Sequence, residues 1–386
     1  RLKASCGNIT SRTMIKTIRK YFQRRRERSW ADRYISDSYL EYYTDLRLSV
    51  NHLTDSKISL LFKHLAGVCS LEALNLSYNH IGLNGIQNMV PFLKSNQSLT
   101  KLRIGNNDEI NTKCFRLLIL SLHHGGSIEY LWVDSCSIDD ISALKKYFLP
   151  NLRFLALDYN NVRNLSSLEK YKNLDSLRLR GNAIGKVGCE SLATMLQDQS
   201  TRLRILDLSY NNTIGEEAAE ILAHSLKYNT TLEDLSLINC NNIKERGLRA
   251  FLTILVDVSS IESTYNSNHT LSMLRLPLCF HPKSNRVIHH IGSALVLKLT
   301  RGKSYHDIGR AKVIEYQLKS QPKIDLCRLQ GIDCPSSNLF IEIETVLLPD
   351  MLAALAGNNF GHSDLYRMVC TRAPDLVSLV SKPSMS

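Results

Sequence analysis

LRILDLSYNNTIGEEAAEILAHSLKYNTT, residues 203–231, places leucines at its first, fourth and sixth positions, asparagine at its ninth, and a helical apolar pattern behind them. Leu206 and Leu208 straddle one residue, so in an extended chain they point to one side while Asp207 points to the other. After Gly215, the residues Ala218, Ile221, Leu222 and Leu226 fall on one face of a helix. Neither the strand nor the helix can bury its apolar face within a unit of this size. A neighbour of the same kind would bury both.

The neighbours are present. The arrangement LxxLxLxxN recurs nine times, with first positions at residues 43, 71, 99, 128, 152, 174, 203, 232 and 261 and spacings of 22 to 29 residues. The clearest other copies are Leu71, Leu74, Leu76, Asn79; Leu152, Leu155, Leu157, Asn160; and Leu174, Leu177, Leu179, Asn182. Self-similarity of this period is the signature of stacked units, each pairing its strand with the next and adding its leucines to a common column. The asparagine ends the strand, where its amide can pair backbone groups that a buried turn leaves open. Cys136 and Cys240 take the ninth position in two copies and read as small buried residues.

The 29-residue copies, LDSLRLRGNAIGKVGCESLATMLQDQSTR (174–202) and the stretch quoted first, resemble the ribonuclease inhibitor-like subfamily of leucine-rich repeat proteins. The resemblance covers about residues 43–270. It implies an α/β fold: a leucine-rich repeat solenoid curved as a horseshoe, parallel strands on the concave face, helices on the convex face, with helical flanks. In the first of the two, Val187, Leu192, Met195 and Leu196 are expected on the buried face of a helix after Gly185. The copies starting at Ile128 and Leu152 have 24 and 22 residues, too few for a full helix, so an abbreviated turn is expected behind them. In the ninth copy Thr264 and Asn266 stand where leucines belong, as in a last repeat without a following neighbour.

The expected organisation is a basic amphipathic arm or cap over residues 1–37, a solenoid of about nine repeats over 38–270, and a helical cap or small domain over 271–386. Eleven Lys or Arg against two acids in residues 1–33 give the arm +9 of the chain's +12. The basic balance therefore belongs to one segment and does not argue that the solenoid grips nucleic acid. Met14, Ile15, Ile18, Tyr21 and Phe22 recur at helical spacing within it. A capping helix, a calmodulin-target helix and a polyanion-binding patch made by Arg24, Arg25, Arg26 and Arg28 all fit that pattern.

Catalytic and metal motifs do not assemble. RGKS at 301–304 ends like a phosphate loop, but Leu297 stands where the loop requires glycine. His123 with His124 and His289 with His290 are adjacent pairs that cannot converge as ligands, and no CxxC pair occurs. The expectation is no catalytic residue, no metal and no cofactor. With no apolar run of about 18 residues and ten cysteines without a staple pattern, a reducing cytoplasmic setting is expected, the nucleus being the alternative.

Function then lies on a surface. Residues alternating with the buried leucines face the concavity, and large aromatic side chains gather there in the short repeats: Tyr130, Trp132, Phe154 and Tyr159, with Asp134 and Asp158 beside them and Arg178 and Arg180 on the next strand. Trp, Tyr and Arg bury large area while keeping a polar handle, the chemistry of interface hot spots. The alternative is that the rings stack only on one another and the acids and arginines satisfy themselves. The sequence thus points to a non-enzymatic scaffold docking a protein partner on these residues. Two other readings stay open: a GTPase-activating regulator like the repeat-type activator of Ran, and a calmodulin- or polyanion-linked adaptor working through the basic arm.

Overall fold

The computed structural model describes residues 45–65, 71–255, 267–268, 270–271 and 273–277. The basic arm with Arg24, Arg25, Arg26 and Arg28, and the segment beyond 277, lie outside the described residues. The described chain forms two compact units, one running to Ile214 and including Ser236–Cys240, the other made of Gly215–Leu235 and the residues from Asn241 onward.

In the first unit seven three-residue strands occupy the third to fifth positions of successive repeats: β1 (Asp45–Arg47), β2 (Ala73–Asn75), β3 (Lys101–Arg103), β4 (Tyr130–Trp132), β5 (Phe154–Ala156), β6 (Ser176–Arg178) and β7 (Ile205–Asp207). They pair in parallel, each with the next. The register aligns Leu46, Leu74, Leu102, Leu131, Leu155, Leu177 and Leu206 in one row, none more than 6 % exposed. Two further strands follow along the chain, β8 (Asp234–Ser236) and β9 (Met273–Arg275).

Behind the strands stand α1 (Asp55–Leu65), α2 (Leu83–Ser95), α3 (Thr112–Gly125) and α5 (Lys186–Gln197), with a single four-residue turn, α4 (Ala143–Lys146), and a 3-10 turn (Ser166–Leu168) behind the short repeats. The Asn111 side chain caps α3 by accepting from the Lys113 and Cys114 amides at 3.0 and 3.3 Å, and Gly126 closes it in a left-handed conformation. In α5 Leu192, Met195 and Leu196 are buried as expected, but Val187 is 58 % exposed. Val187 sits in the first turn, and Gly188 and Cys189 bring the helix against its neighbours instead.

What replaces a helix in the short repeats is one side chain. Tyr171, 2 % exposed, donates its hydroxyl to the Leu144 carbonyl at 2.9 Å and accepts from the Leu149 amide at 3.3 Å, while its ring meets Phe148 at 4.9 Å. It fills the room of absent helical turns and pairs backbone that a helix would have paired internally. Its burial pushes the phenol pKa up.

The ninth-position asparagines act between repeats. Asn211, wholly buried, donates to the carbonyls of Leu179 (2.9 Å), Leu208 (2.8 Å) and Ser209 (3.4 Å) and accepts from the Ile184 amide at 3.1 Å. Asn79, Asn107, Asn160 and Asn182 repeat the pattern. At the eighth position the backbone turns left-handed in the described repeats: Val50, Tyr78, Asn106, Ser135, Tyr159, Gly181, Tyr210 and Asn239 have φ between 50° and 64°. The turn aims each eighth amide at the seventh carbonyl of the next repeat, as from Tyr159 to Arg180 and from Tyr210 to Ile238. Non-glycine residues pay about 1–2 kcal/mol for this conformation, and the inter-repeat bond it makes offsets the cost.

In the second unit α6 (Glu216–Leu226) and α7 (Glu245–Leu255) pack closely, a Cβ at Gly247 falling 2.8 Å from the Ala219 Cβ. The ninth strand departs from the expected place. It lies at Met273–Arg275, ten residues after the position expected from Ile261, with Leu271, Leu274 and Leu276 as the buried leucines. The reason is the chemistry of the template: Thr264 and Asn266 cannot supply a leucine column, and Leu274 and Leu276 can. Asn268 marks the entry, its Oδ1 accepting from the Thr270 and Leu271 amides at 2.9 Å, as Asn229 does before Leu232 and Asn96 before Leu99.

Replacing Tyr171 by Phe keeps the ring but leaves the Leu149 amide and Leu144 carbonyl unpaired. Chemical denaturation is expected to show a loss of about 1–3 kcal/mol, whereas a change under about 0.5 kcal/mol would mean the hydroxyl is dispensable.

Candidate functional site

On the strand face turned away from the helices, the register sets Lys101, Tyr130, Phe154 and Ser176 in one row and Arg103, Trp132, Ala156 and Arg178 in the next. The small Ala156 beside Trp132 leaves the indole room to lean diagonally toward Phe154, and the ring centroids lie 4.6 Å apart. Tyr130 stacks on both, at 6.1 Å from Trp132 and 6.3 Å from Phe154. From β3, the Arg103 guanidinium lies 4.0 Å from the indole centroid and the Lys101 ammonium 5.3 Å from that of Tyr130. All three rings remain half-buried. The cluster is therefore held by its own stacking and still presents its edges to solvent.

Beyond β6 the chain builds a second such pairing. The Arg180 guanidinium stands 4.4 Å from the Tyr210 ring and 5.7 Å from that of Tyr159. Tyr159 is 51 % exposed, and its ring lies over Gly181, where an added Cβ would come within 2.6 Å of the ring carbon Cδ1. Gly181 therefore serves both its φ of +64° and the seat of Tyr159. The sequence pattern puts Lys101, Arg103 and Tyr210 on this strand face without joining them to the site, and it does not single out the space-making Ala156 and Gly181. The signal for the cations was their place at the third and fifth positions beside the rings. No sequence signal marks the small residues.

Asp134 and Asp158 do something other than pair with arginines. Asp134 Oδ1 accepts the Asp158 amide at 3.1 Å, and Asp158 Oδ1 accepts the Arg180 amide at 2.8 Å. They bind one repeat to the next through backbone. Arg178 approaches the Asp158 carboxylate only to 4.0 Å, with half of its own side chain exposed. Burial, joined by the Asp134 charge, pushes the Asp158 pKa up to about 6, and burial raises that of Asp134 also.

At the other end of the row a hollow of about 440 Å³ opens among Arg47, Glu72, Asn75, Lys101, Arg103 and Trp132. The described residues contain no group of three or more His, Cys, Asp or Glu placed to hold a metal. His123 and His124 turn their Nδ1 atoms to two different carbonyls, of Phe148 and Leu120. Burial pushes the thiols of Cys136, Cys189 and Cys240 up to about 12, so they stay protonated at neutral pH.

A family model described as "Leucine Rich repeat" matches residues 69–90, 172–193 and 199–223. Mouse "NACHT, LRR and PYD domains-containing protein 12" is 27% identical over 232 residues, 60% of this chain and 17% of that protein. Mouse "Ribonuclease inhibitor" is 29% identical over 197 residues, 50% of this chain and 39% of that protein. The chain thus spans well under half of these relatives. A solved internalin (inlF) of Listeria monocytogenes superposes with a TM-score of 0.37 at 17% identity, covering 55% of this chain and 63% of that one. No described helix is long and apolar enough to cross a membrane.

The raised pKa of Asp158 has a sign that stability measurements can read. An unfolded Asp titrates near 3.9, so between about pH 4 and 6 the folded chain holds a proton that the unfolded chain has released. This group's contribution to stability therefore falls as pH rises through that window. Asp158→Asn keeps an acceptor for the Arg180 amide and carries no charge, so it is expected to be more stable than the parent at pH 7 by roughly 1–3 kcal/mol, the gap closing by pH 4. A variant less stable than the parent at pH 7 would show that the carboxylate charge holds the repeats together.

Proposed function

The chain belongs to the leucine-rich repeat proteins, of the ribonuclease inhibitor-like subfamily, and from that premise we propose that it is a non-enzymatic scaffold docking a protein partner on the concave strand face centred on Trp132. The observation that carries this reading is the stack of Tyr130, Trp132 and Phe154, which is half-buried, braced by Arg103 and Lys101, and set on a face otherwise free of helix. Large apolar area left in water on a fixed surface is costly unless something covers it. Stacked rings lose little further entropy when a partner arrives, the feature that makes aromatic clusters hot spots. Asp134, Asp158, Tyr159, Arg178 and Arg180 extend the face across the next strands. Repeats β1 to β7 span roughly 29 Å at about 4.8 Å per strand, wide enough for a small folded domain.

The related proteins support the direction. The name of the ribonuclease inhibitors describes action on a protein, and the reading carries to this chain the binding of a protein without that partner. The described cysteines Cys114, Cys136, Cys189 and Cys240 are free and buried, which suits the reducing cytoplasm.

Trp132→Ala with Phe154→Ala is expected to reduce capture of the partner from native lysate at least tenfold while the chain stays folded, because the rings are half-exposed and their mutual contacts are worth about 1–3 kcal/mol together. Leu177→Ala, a core cavity behind the same sheet, is expected to cost about 2–5 kcal/mol and to leave capture intact below its melting temperature. Undiminished capture by the double variant would reject the face as the docking site.

A further inference from the structure

We propose, resting on the docking face above, that the partner segment seated there is extended and acidic, with two carboxylates three to five residues apart on either side of one apolar or aromatic side chain. The charges on the face are divided unequally. Four of its acids are already engaged: Asp45 pairs with Arg47 at 2.7 Å, Asp134 and Asp158 accept backbone amides, and Asp207 accepts both the amide and hydroxyl of Ser209, while Glu72 lines the hollow with Lys101 and Arg103. Three of its cations have no carboxylate at ion-pair distance. Lys101, Arg103 and Arg180 lie over rings, and none forms an ion pair with a carboxylate among the described residues. A guanidinium over a ring keeps N–H groups that can receive a carboxylate, and of the two arginines Arg103 is the exposed one, while Arg180 also bonds Tyr210 and buries its Nε.

The spacing follows from the register. Arg103 and Lys101 stand on β3 and Arg180 just beyond β6, with the three rings on β4 and β5 between them. Three strand steps of about 4.8 Å separate the two cationic ends by roughly 14 Å, which an extended chain rising about 3.3 Å per residue crosses in about four residues. A side chain midway along that segment meets the edges of Trp132 and Phe154.

A single-stranded nucleic acid fits the same strip less well. Arg103 from β3 and Phe154 from β5 both lie against the Trp132 indole, so a base finds no open face on which to stack.

The test is selection of random twelve-residue peptides displayed on phage against the full chain, followed by binding of the enriched peptide made synthetically. The expected result is enrichment of two Asp or Glu residues three to five positions apart around an aromatic or aliphatic residue. Affinity for that peptide is expected to fall at least tenfold in Arg103→Gln with Arg180→Gln, and again between 50 and 500 mM NaCl. Enriched peptides lacking acids but requiring Trp132 would overturn the acidic partner and leave the docking face standing. Acidic peptides binding the Trp132→Ala, Phe154→Ala chain undiminished would overturn the face itself. Failure to enrich any sequence, or tighter binding of a twelve-nucleotide poly(U) RNA than of the enriched peptide, would also reject the proposal.

Discussion

Between the described strands of the first unit and their outer elements lie turns whose inner side is buried against the turns before and after, with Asn79, Asn107 and Asn211 at most 3 % exposed. The backbone groups there must be paired or each costs about 1–3 kcal/mol. The ninth-position asparagine meets that demand with one side chain: its Nδ2 donates to carbonyls of its own and the preceding repeat, and its Oδ1 accepts an amide of the preceding repeat. Each such residue fixes the translation between two repeats, and with it the register that puts the leucines in one row. The acids at Asp134 and Asp158 add a second set of backbone bonds on the opposite side of the sheet, nearest the aromatic cluster.

The aromatic cluster is a consequence of that register. Because Tyr130 and Phe154 are strand partners and Trp132 and Ala156 are strand partners, the indole meets a small residue straight across and a ring on the diagonal. A slip of one repeat position would put Trp132 into the leucine column. The short repeats matter for the same reason: with Tyr171 in place of a helix, β4, β5 and β6 keep their place in the sheet although the chain behind them is reduced to single turns.

Much of this was legible in the residues. The strands fall on the third to fifth template positions, the short repeats lack full helices, and the asparagines are structural, because each rests on a periodic pattern or a length that the chain displays openly. Other features are decided by contacts and are not periodic. Ala156 and Gly181 matter for the space they leave to Trp132 and Tyr159, which a sequence does not display. The left-handed eighth position is occupied by Val, Tyr, Asn, Ser and Gly alike, so composition does not betray it. The ninth strand was misplaced because an even period was extended through residues where the leucines had moved on to 274 and 276, a shift that Asn268 announces three residues before Leu271. The backbone bonds of Asp134 and Asp158 are likewise set by contacts: arginines stand near in the sequence pattern, but the amides of Asp158 and Arg180 are closer.

The account stands on the asparagine as the joint between repeats, and equilibrium unfolding of Asn211→Leu tests it most directly. The substitution preserves apolar volume in a wholly buried site while removing four hydrogen bonds, to Leu179, Leu208, Ser209 and Ile184. The predicted result is a loss of roughly 3 kcal/mol or more. A variant within about 0.5 kcal/mol of the parent would show that the leucine column alone sets the stacking, and the account would be wrong at its base.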